Sequence, residues 1–473
     1  MPGAATTPAA ASTSALTPAL LQQFGGAGPR YTSYPTADRF VEAFGADDVL
    51  RALSLRAEGT GVAASSALSV YVHIPFCESV CYYCACNKVI TRQHSRAAEY
   101  LDALDSEIAL VSRALGGAAT VSQLHLGGGS PTFLSDAELE RLMASLRRSF
   151  RLSDAAELAI EVDPRTVSPQ RLLWLRQLGF NRLSFGIQDF DDDVQHAVHR
   201  VQSLASVQAL MQAARALGYA SINADLIYGL PRQTPESFAR TIAQIGALRP
   251  DRIALYAYAH LPQRFKPQRR IAEADLPAAT DKVAMLAAAI AGFQAQGYCY
   301  VGMDHFALPG DALAVAQRQG RLHRNFQGYS TQPDNDLIGL GVSAIGRIGA
   351  SYAQNAKTLP EYYDALRQGQ LPVVRGYAMN RDDLVRRAVI MALMCQGRVE
   401  FESIELSHLV RMDAYFAREL ALLQPLAEAG LVEIEPAALQ VTAAGWYVVR
   451  AVAMVFDRYL HNDSQRERFS RVV

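Results

Sequence analysis

Short β-branched or aromatic runs alternate with amphipathic stretches through most of the chain. LSVYVHI (68–74), VSQLHL (121–126), ELAIEV (157–162), RLSFGI (182–187), SINADLIY (221–228) and DRIALYAY (251–258) have the length and composition of strands. Between them, AAEYLDALDSEIALVSRAL (97–115), DAELERLMASLRRSF (136–150), SPQRLLWLRQLG (168–179), ASVQALMQAARALG (205–218) and TPESFARTIAQIGAL (234–248) carry helical periodicity. Several follow a Ser, Asp or Thr suited to capping a helix N-terminus. Strand–helix alternation predicts an α/β fold with a parallel sheet and crossover helices. Six such units predict a partial or complete TIM-like (β/α)6 barrel over residues 67–310, with an open doubly wound sheet as the alternative. Beyond residue 310 the rhythm breaks. Residues 311–375 read as a connecting and substrate-site region. Residues 376–473 read as a mostly helical, winged-helix-like domain, with helices followed by a short strand, a turn and a terminal helix.

Composition narrows the class. Half of the 473 residues are hydrophobic and 19% are charged, as in a globular protein with a large core. A formal net charge of −1 offers no bulk attraction to nucleic acid or to an anionic membrane. There is no apolar run of bilayer length. Residues 1–29 read as a disordered tail without the basic start and compact apolar segment of a secretory signal. The expected compartment is the cytoplasm, where a reducing environment disfavours disulfides.

That expectation bears on CESVCYYCAC, which holds four of the six cysteines. Cys77, Cys81 and Cys84 have the spacing C-x3-C-x2-C, with Cys86 following. Soft thiolates suit an iron–sulfur cluster, and three ligands to a cubane leave one iron open for chemistry. Structural zinc held by all four thiols, and reactive cysteines without metal, remain the alternatives at this point. A four-cysteine zinc site usually draws pairs from separated loops, and Cys299 and Cys395 are isolated.

The other unusual residues fall at the ends of successive strands, where βα barrels build their active sites. GGGSP (127–131) lets backbone approach a ligand closely. Glu161 and Asp163 close the third strand, Gln188 and Asp189 follow the fourth, and Ala259 and His260 end the sixth. Asp225 lies in an apolar run, where an unpaired carboxylate would be costly, so it requires a partner. Tyr83 is placed to pack against a nucleoside, although a surface-loop aromatic is the plainer reading.

With the three-cysteine loop at the end of a first barrel strand, the chain resembles the radical S-adenosylmethionine (SAM) enzymes. YVHIPFCESVCYYCACNK, HLGGGSPTFL, EVDPRTV, RLSFGIQDF, NADLIYGLPRQT and YAHLP resemble, more narrowly, the oxygen-independent coproporphyrinogen III dehydrogenases. RYTSYPTADRF (30–40), GMDHFALP, LHRNFQGYSTQ and the terminal FSRVV extend the resemblance from about residue 30 onward. It implies a barrel of the radical SAM type, with residues 30–66 covering the active site. It implies a [4Fe–4S] cluster on Cys77, Cys81 and Cys84, and a functional, non-ligating Cys86. Tyr71, Gly128, Glu161 and Ile345 match positions that touch the SAM on the cluster. Tyr83, Gly129, Ser130, Gln188, Arg200, Asp225 and Ala259 match the site of a second SAM. Tyr83 stands where Phe is frequent and Ser130 where Thr is frequent; both preserve the contact type.

The implied reaction splits SAM reductively, takes a hydrogen from the β-carbon of a substrate propionate, and releases carbon dioxide to leave a vinyl group. Two such events convert coproporphyrinogen III to protoporphyrinogen IX. The implied partners are that substrate and a one-electron donor such as flavodoxin or ferredoxin, with the chain expected to be a monomer. Four substrate propionates call for cations. QRFKPQRR (263–270) supplies Arg264, Lys266, Arg269 and Arg270, with His305, His323 and Arg324 as further candidates; a solvated basic loop is the plain reading. A related haem chaperone or haem-utilisation protein is the nearest rival, and it tends to lack the fourth cysteine and the RYTSYPT-like segment. A zinc-bearing DNA-binding regulator is a second rival, weakened by near-neutral charge.

Overall fold

The computed structural model describes residues 23–59 and 67–460. Most of the expected tail, residues 60–66 of the N-terminal segment and the terminal FSRVV lie outside the described residues. The chain divides into two compact units, one formed by residues 35–384 and the other by residues up to 34 together with 385 onward. The break at Leu384/Val385 falls later than the expected boundary at 375/376, and the residues up to Tyr34 belong with the C-terminal unit.

The larger unit is built on a twelve-stranded sheet. Six parallel strands form its centre: β1 (Leu68–Ile74), β2 (Ala119–Gly128), β3 (Phe150–Val162), β4 (Arg182–Gln188), β5 (Ser221–Tyr228) and β6 (Arg252–Ala257). They pair in sequence order, so each strand lies beside the next one along the chain. After helix α1 (Ala46–Ala57), the crossovers are α2 (His94–Ala114), α3 (Asp136–Ser149), α4 (Pro169–Gln177), α5 (Leu204–Ala216) and α6 (Pro235–Leu248). Ser135, Ser168, Ser203 and Thr234 cap the last four of these, satisfying N–H groups that the helix itself leaves open.

β3 begins well before the expected ELAIEV. Phe150–Leu152 pair with β2, the register then shifts, and pairing resumes at Glu157. The intervening Ser-Asp-Ala-Ala sits in this irregular stretch, which is why it lacks strand-like alternation.

Antiparallel strands extend both edges. β7 (Cys299–Gly302) and β8 (His305–Ala307) follow β6, with β8 paired to it. At the other edge β9 (Leu337–Leu340) pairs in parallel with β1, followed by β10 (Ile345–Ile348), β11 (Ser351–Asn355) and β12 (Val373–Ala378). The sheet therefore continues through the region expected to be a connector. Its end strands, β12 and β7, do not pair, so the barrel is partial, as anticipated. The described part of the N-terminal segment packs on this extension: Val41 and Gly376 exchange backbone hydrogen bonds of 2.8 and 3.0 Å, and Phe40 stacks on Tyr352.

The two faces of the central sheet differ sharply. Leu68, Val70, Val72 and Ile74 of β1 are buried, as are Leu104 and Ile108 of α2 and Leu139 and Leu142 of α3. The alternate positions line a large cavity with polar side chains: Tyr71 and His73 on β1, His125 on β2, Glu161 on β3 and Arg182 on β4. Period-two alternation thus sorts apolar residues outward to the helices and chemistry inward.

One buried carboxylate fastens the β9 edge. Glu107 of α2 accepts hydrogen bonds from Gly341 N (2.7 Å), Asn355 Nδ2 (2.6 Å) and Tyr362 Oη (2.6 Å). Among the described residues, no helix is long and apolar enough to cross a membrane.

The C-terminal unit holds short helices, including Phe401–His408 and Gln424–Glu428. Its three-stranded antiparallel sheet has the order β13 (Arg398–Glu400), β15 (Ala438–Val441), β14 (Val432–Ile434). This is the mostly helical arrangement expected from sequence, with a three-stranded sheet in place of the short strand. Within it, Tyr31 Oη donates to Asp457 Oδ2 at 3.0 Å, and Arg386 binds Glu419 at 2.8 Å.

Burial pushes the Glu107 carboxyl from 4.5 up to about 7, against the three donors that favour its charge. The folded state therefore holds this proton more tightly than the unfolded chain. Stability contributed by the protonated form is complete below pH 4.5 and is lost as pH rises towards 7, by about 3 kcal/mol at most. Glu107→Gln should flatten that decline, measured as the urea midpoint of the holoenzyme between pH 4.5 and 8.

Candidate active site

The cysteine loop leaves β1 through Pro75 and returns where Phe76–Cys77 pairs with Val89–Ile90. Its path is held by backbone and side-chain bonds to β-strand ends. Tyr82 N donates to Val198 O at 2.9 Å, and the Tyr82 ring stacks on His199 at 5.1 Å. Gln268 Nε2 donates to the carbonyls of Tyr83 (2.9 Å) and Ala259 (3.2 Å), joining the loop to the end of β6. Lys88 Nζ donates to Cys84 O (2.9 Å) and Cys86 O (3.3 Å).

Cys77, Cys81 and Cys84 line one cavity of about 340 Å³, and all six cysteines are free thiols. Gly128, Gly129 and Ser130 of the glycine run line the same cavity. Gly128 has φ +117°, and a Cβ there would lie 2.6 Å from the His73 ring. A Cβ on Gly129 would lie 2.7 Å from the Pro75 carbonyl carbon. Neither position accepts a side chain, because the backbone here packs directly against His73 and the Pro75–Phe76 stem of the cysteine loop. Ser130 N donates to Phe76 O at 2.9 Å, fixing the glycine run against the loop.

A buried cation reaches the thiols from the side. Arg200 Nη1 lies 3.4 Å from Cys81 Sγ, while its Nη2 donates to Gly186 O (2.6 Å) and Asp163 Oδ1 (3.2 Å). Arg165 binds Asp163 at 2.7 Å and lies 3.7 Å from Cys81 Sγ. The loop thiols differ in acidity. Burial pushes Cys77 up to about 12, with the neighbouring thiols adding to it. The hydrogen bond with Cys86 holds Cys84 down at about 6, and the same bond raises Cys86.

Glu161 stands where the smaller cavity meets a larger one of about 610 Å³. Its Oε2 accepts from Gly128 N (3.1 Å) and its Oε1 bonds His125 Nε2 (3.1 Å). Burial opposes ionisation here, but His125 and the Gly128 N–H prevail and hold the carboxyl below its ordinary value. Tyr71 stacks on His125 with ring centroids 5.9 Å apart and bonds His73 Nδ1 at 3.2 Å.

Asp225 has the partners its burial demands, and they are neutral. Ser184 Oγ donates to Oδ2 and Asn223 Nδ2 to Oδ1, each at 2.8 Å. With no cation bound, burial raises its carboxyl to about 6. Gln188, at φ +69°, sits in a register shift at the end of β4 and faces both cavities.

The structure brings most of the anticipated residues together. Cys77, Cys81, Cys84, Cys86, Tyr83, Gly128, Gly129, Ser130, Glu161, Gln188, Arg200 and Asp225 line the smaller cavity. Tyr71 and Ile345 line the larger one. Ala259 lines neither and is exposed, touching the site only through Gln268. The basic loop does not converge on the site: Arg264, Lys266, Arg269 and Arg270 are exposed and line neither cavity, and Arg270 instead lies over the Tyr82 ring. Of the further cations, His305 lines the larger cavity, whereas His323 and Arg324 line neither.

Sequence reasoning overlooked His73, His125 and Gln268. The two histidines were open to detection, because both share the inward alternation of Tyr71 and Gln123. Gln268 acts through backbone carbonyls and leaves no comparable signal.

Free thiols around a cavity that also takes in the glycine run fit a cluster with a small molecule beside it. Residues 71–245 match the radical SAM superfamily, so the fold and site are those of a radical SAM protein with a [4Fe–4S] cluster and SAM as cofactors. Residues 379–448 match the HemN C-terminal domain. The chain is 49% identical over 456 residues to oxygen-independent coproporphyrinogen III oxidase of Escherichia coli (strain K12), covering 96% of this chain and 98% of that protein. It is 41% identical over 439 residues to the same enzyme of Helicobacter pylori (strain 26695), covering 93% and 95%. The solved structure of the E. coli protein, described as a radical SAM enzyme, superposes with a TM-score of 0.87 over 91% of this chain and 97% of that one, at 49% identity. The chain belongs to the oxygen-independent coproporphyrinogen III oxidase family.

Gly129→Ala should force the Pro75–Phe76 backbone out of place and weaken SAM binding on the order of tenfold or more. Equilibrium dialysis of SAM against the reconstituted variant measures this; unchanged affinity would show that the glycine run tolerates a methyl group.

Proposed function

We propose that this chain performs the radical SAM-dependent oxidative decarboxylation of two propionates of coproporphyrinogen III, yielding protoporphyrinogen IX. The observation that carries this reading is a shared wall. Tyr83, Cys86, Glu161, Ser184, Gln188 and Asp225 line both cavities, so a cofactor compartment opens onto a larger substrate compartment across one layer of side chains.

Cys77, Cys81 and Cys84 would hold the cluster, and Tyr71, Gly128, Glu161 and Ile345 the SAM on it. Bound there, these cofactors would supply the radical that takes a hydrogen atom from a propionate β-carbon; carbon dioxide then leaves and one electron passes to an external one-electron acceptor, giving the vinyl group. The initiating electron would come from a one-electron donor such as flavodoxin or ferredoxin.

The side chains orient and insulate. Glu161, kept ionised by His125 and Gly128 N, accepts hydrogen bonds from hydroxyl or ammonium groups. Arg165 and Arg200 stabilise negative charge at Cys81 Sγ. The hydrogen bond with Cys84 and burial raise the Cys86 thiol, and Cys86 lines both compartments.

Tyr83, Gly129, Ser130, Gln188, Arg200, Asp225 and Ala259 would serve a second SAM. All except Ala259 line the smaller cavity, which supports the assignment. The Arg200 donors are engaged with Cys81, Asp163 and Gly186, so its part there is to position the loop.

Under anaerobic conditions with SAM and a reductant, the reconstituted protein should convert coproporphyrinogen III to protoporphyrinogen IX. Absence of product from protein with a full complement of iron and sulfide would refute the assignment. Cys81→Ala should abolish both cluster assembly and SAM cleavage. Cys86→Ser should retain iron and sulfide while losing turnover, and loss of iron from it would make Cys86 a ligand.

A further inference from the structure

The floor of the larger cavity carries two cations with unused donors. Arg182 opens β4 and Arg252 opens β6, and both line the cavity. Each guanidinium is held by one carboxylate. Arg182 Nη2 lies 3.0 Å from Glu157 Oε1, and Arg252 Nε lies 2.8 Å from Asp311 Oδ1. Those acceptors are shared with other donors. Glu157 Oε1 also takes the Thr331 hydroxyl at 2.8 Å. Asp311 takes Ser221 Oγ (2.9 Å) and caps helix α7 (Ala312–Arg318) through Leu313 N (2.7 Å).

Arg182 Nη1 and Arg252 Nη2 are buried and have no hydrogen-bond partner among the described residues. A buried donor left unmade costs free energy, and a ligand that accepts from it recovers that cost. The side chains are only 15% and 16% exposed, so bulk water does not readily serve. The Arg252 charge also bears on Arg182, adding to burial in lowering its pKa, which places two like charges beside the same space.

Height within the barrel matters as well. Glu161 is in register with Ser184, and Arg182 lies two residues earlier on β4. At roughly 3.3 Å per residue that is about 7 Å below the cofactor wall, within the span of a single tetrapyrrole. A cavity of about 610 Å³ is of the size that encloses one such ligand.

We propose that Arg182 and Arg252 form a carboxylate subsite at the floor of the larger cavity, accepting a substrate propionate that is not reacting and so setting which propionate faces the cofactor. This rests on the functional reading above. Glu157 and Asp311 engage only part of each guanidinium, and an incoming carboxylate would meet the rest of the planar fork once the side chain turns its buried nitrogen towards the cavity. The subsite differs from the exposed loop at Arg264–Arg270, whose cations line neither cavity.

The test uses the reconstituted holoenzyme with coproporphyrin III, a stable tetracarboxylate, and its tetramethyl ester as binding probes, read by fluorescence. Arg182→Gln and Arg252→Gln should each weaken binding of the tetra-acid about tenfold or more, leave ester binding within about twofold, and raise KM for coproporphyrinogen III more than they lower kcat. Arg252→Lys, which keeps the charge without the fork, should recover part of the loss. Equal weakening for acid and ester in every variant would mean structural damage and would overturn the subsite. So would tetra-acid affinity equal to wild type. If the wild-type holoenzyme itself fails to turn over coproporphyrinogen III, the functional reading falls; if it turns over and the variants bind the acid normally, only the subsite falls.

Discussion

The geometry of the site depends on one buried guanidinium. Arg200 meets Cys81 Sγ, both oxygens of Asp163 and the Gly186 carbonyl, so it joins the cysteine loop to the ends of β3 and β4. An uncompensated charge at this depth would be prohibitive, and these acceptors offset its loss of water. The thiol it approaches, Cys81, is one of the three proposed to hold the cluster, and Gln268 performs a neutral version of the same anchoring at Tyr83 and Ala259.

A second constraint is the division of labour between strand faces. In a closed TIM barrel the interior is packed with branched apolar side chains. Here the inward positions are Tyr71, His125, Glu161, Ser184, Asn223 and Asp225, and they leave space in preference to filling it. Those polar groups satisfy one another in small circuits. Ser184, Asn223 and Asp225 form one, and His125, Glu161 and Gly128 form another. Cofactor and substrate chemistry then rests on groups whose orientation is set before anything binds.

Much of this was legible in the order of residues. The six central strands and their crossover helices declare themselves by period and by capping residues, and the cysteine spacing and glycine run mark the rim. What escaped has physical reasons. β9 is only Leu-Ile-Gly-Leu, and its parallel pairing with β1 is set by contacts far along the chain. The first half of β3 is disguised by the register shift before Glu157. The direction in which a charge faces cannot be read from composition. The conspicuous basic run at 263–270 lines neither cavity, whereas Arg182 and Arg252 look like ordinary strand starts and line the larger one. Asp225 was rightly expected to need a partner, but hydroxyl and amide groups supply it in place of a cation.

The two end strands of the sheet, β12 and β7, do not pair with each other, and this carries a further implication. In a cylinder that closes on itself, strand number and shear fix the bore. A gutter has no such fixed circumference, because its two lips are free to lie as far apart as their flanking segments permit. The interior can therefore be wide enough for a bulky, puckered tetrapyrrole without any strand being added.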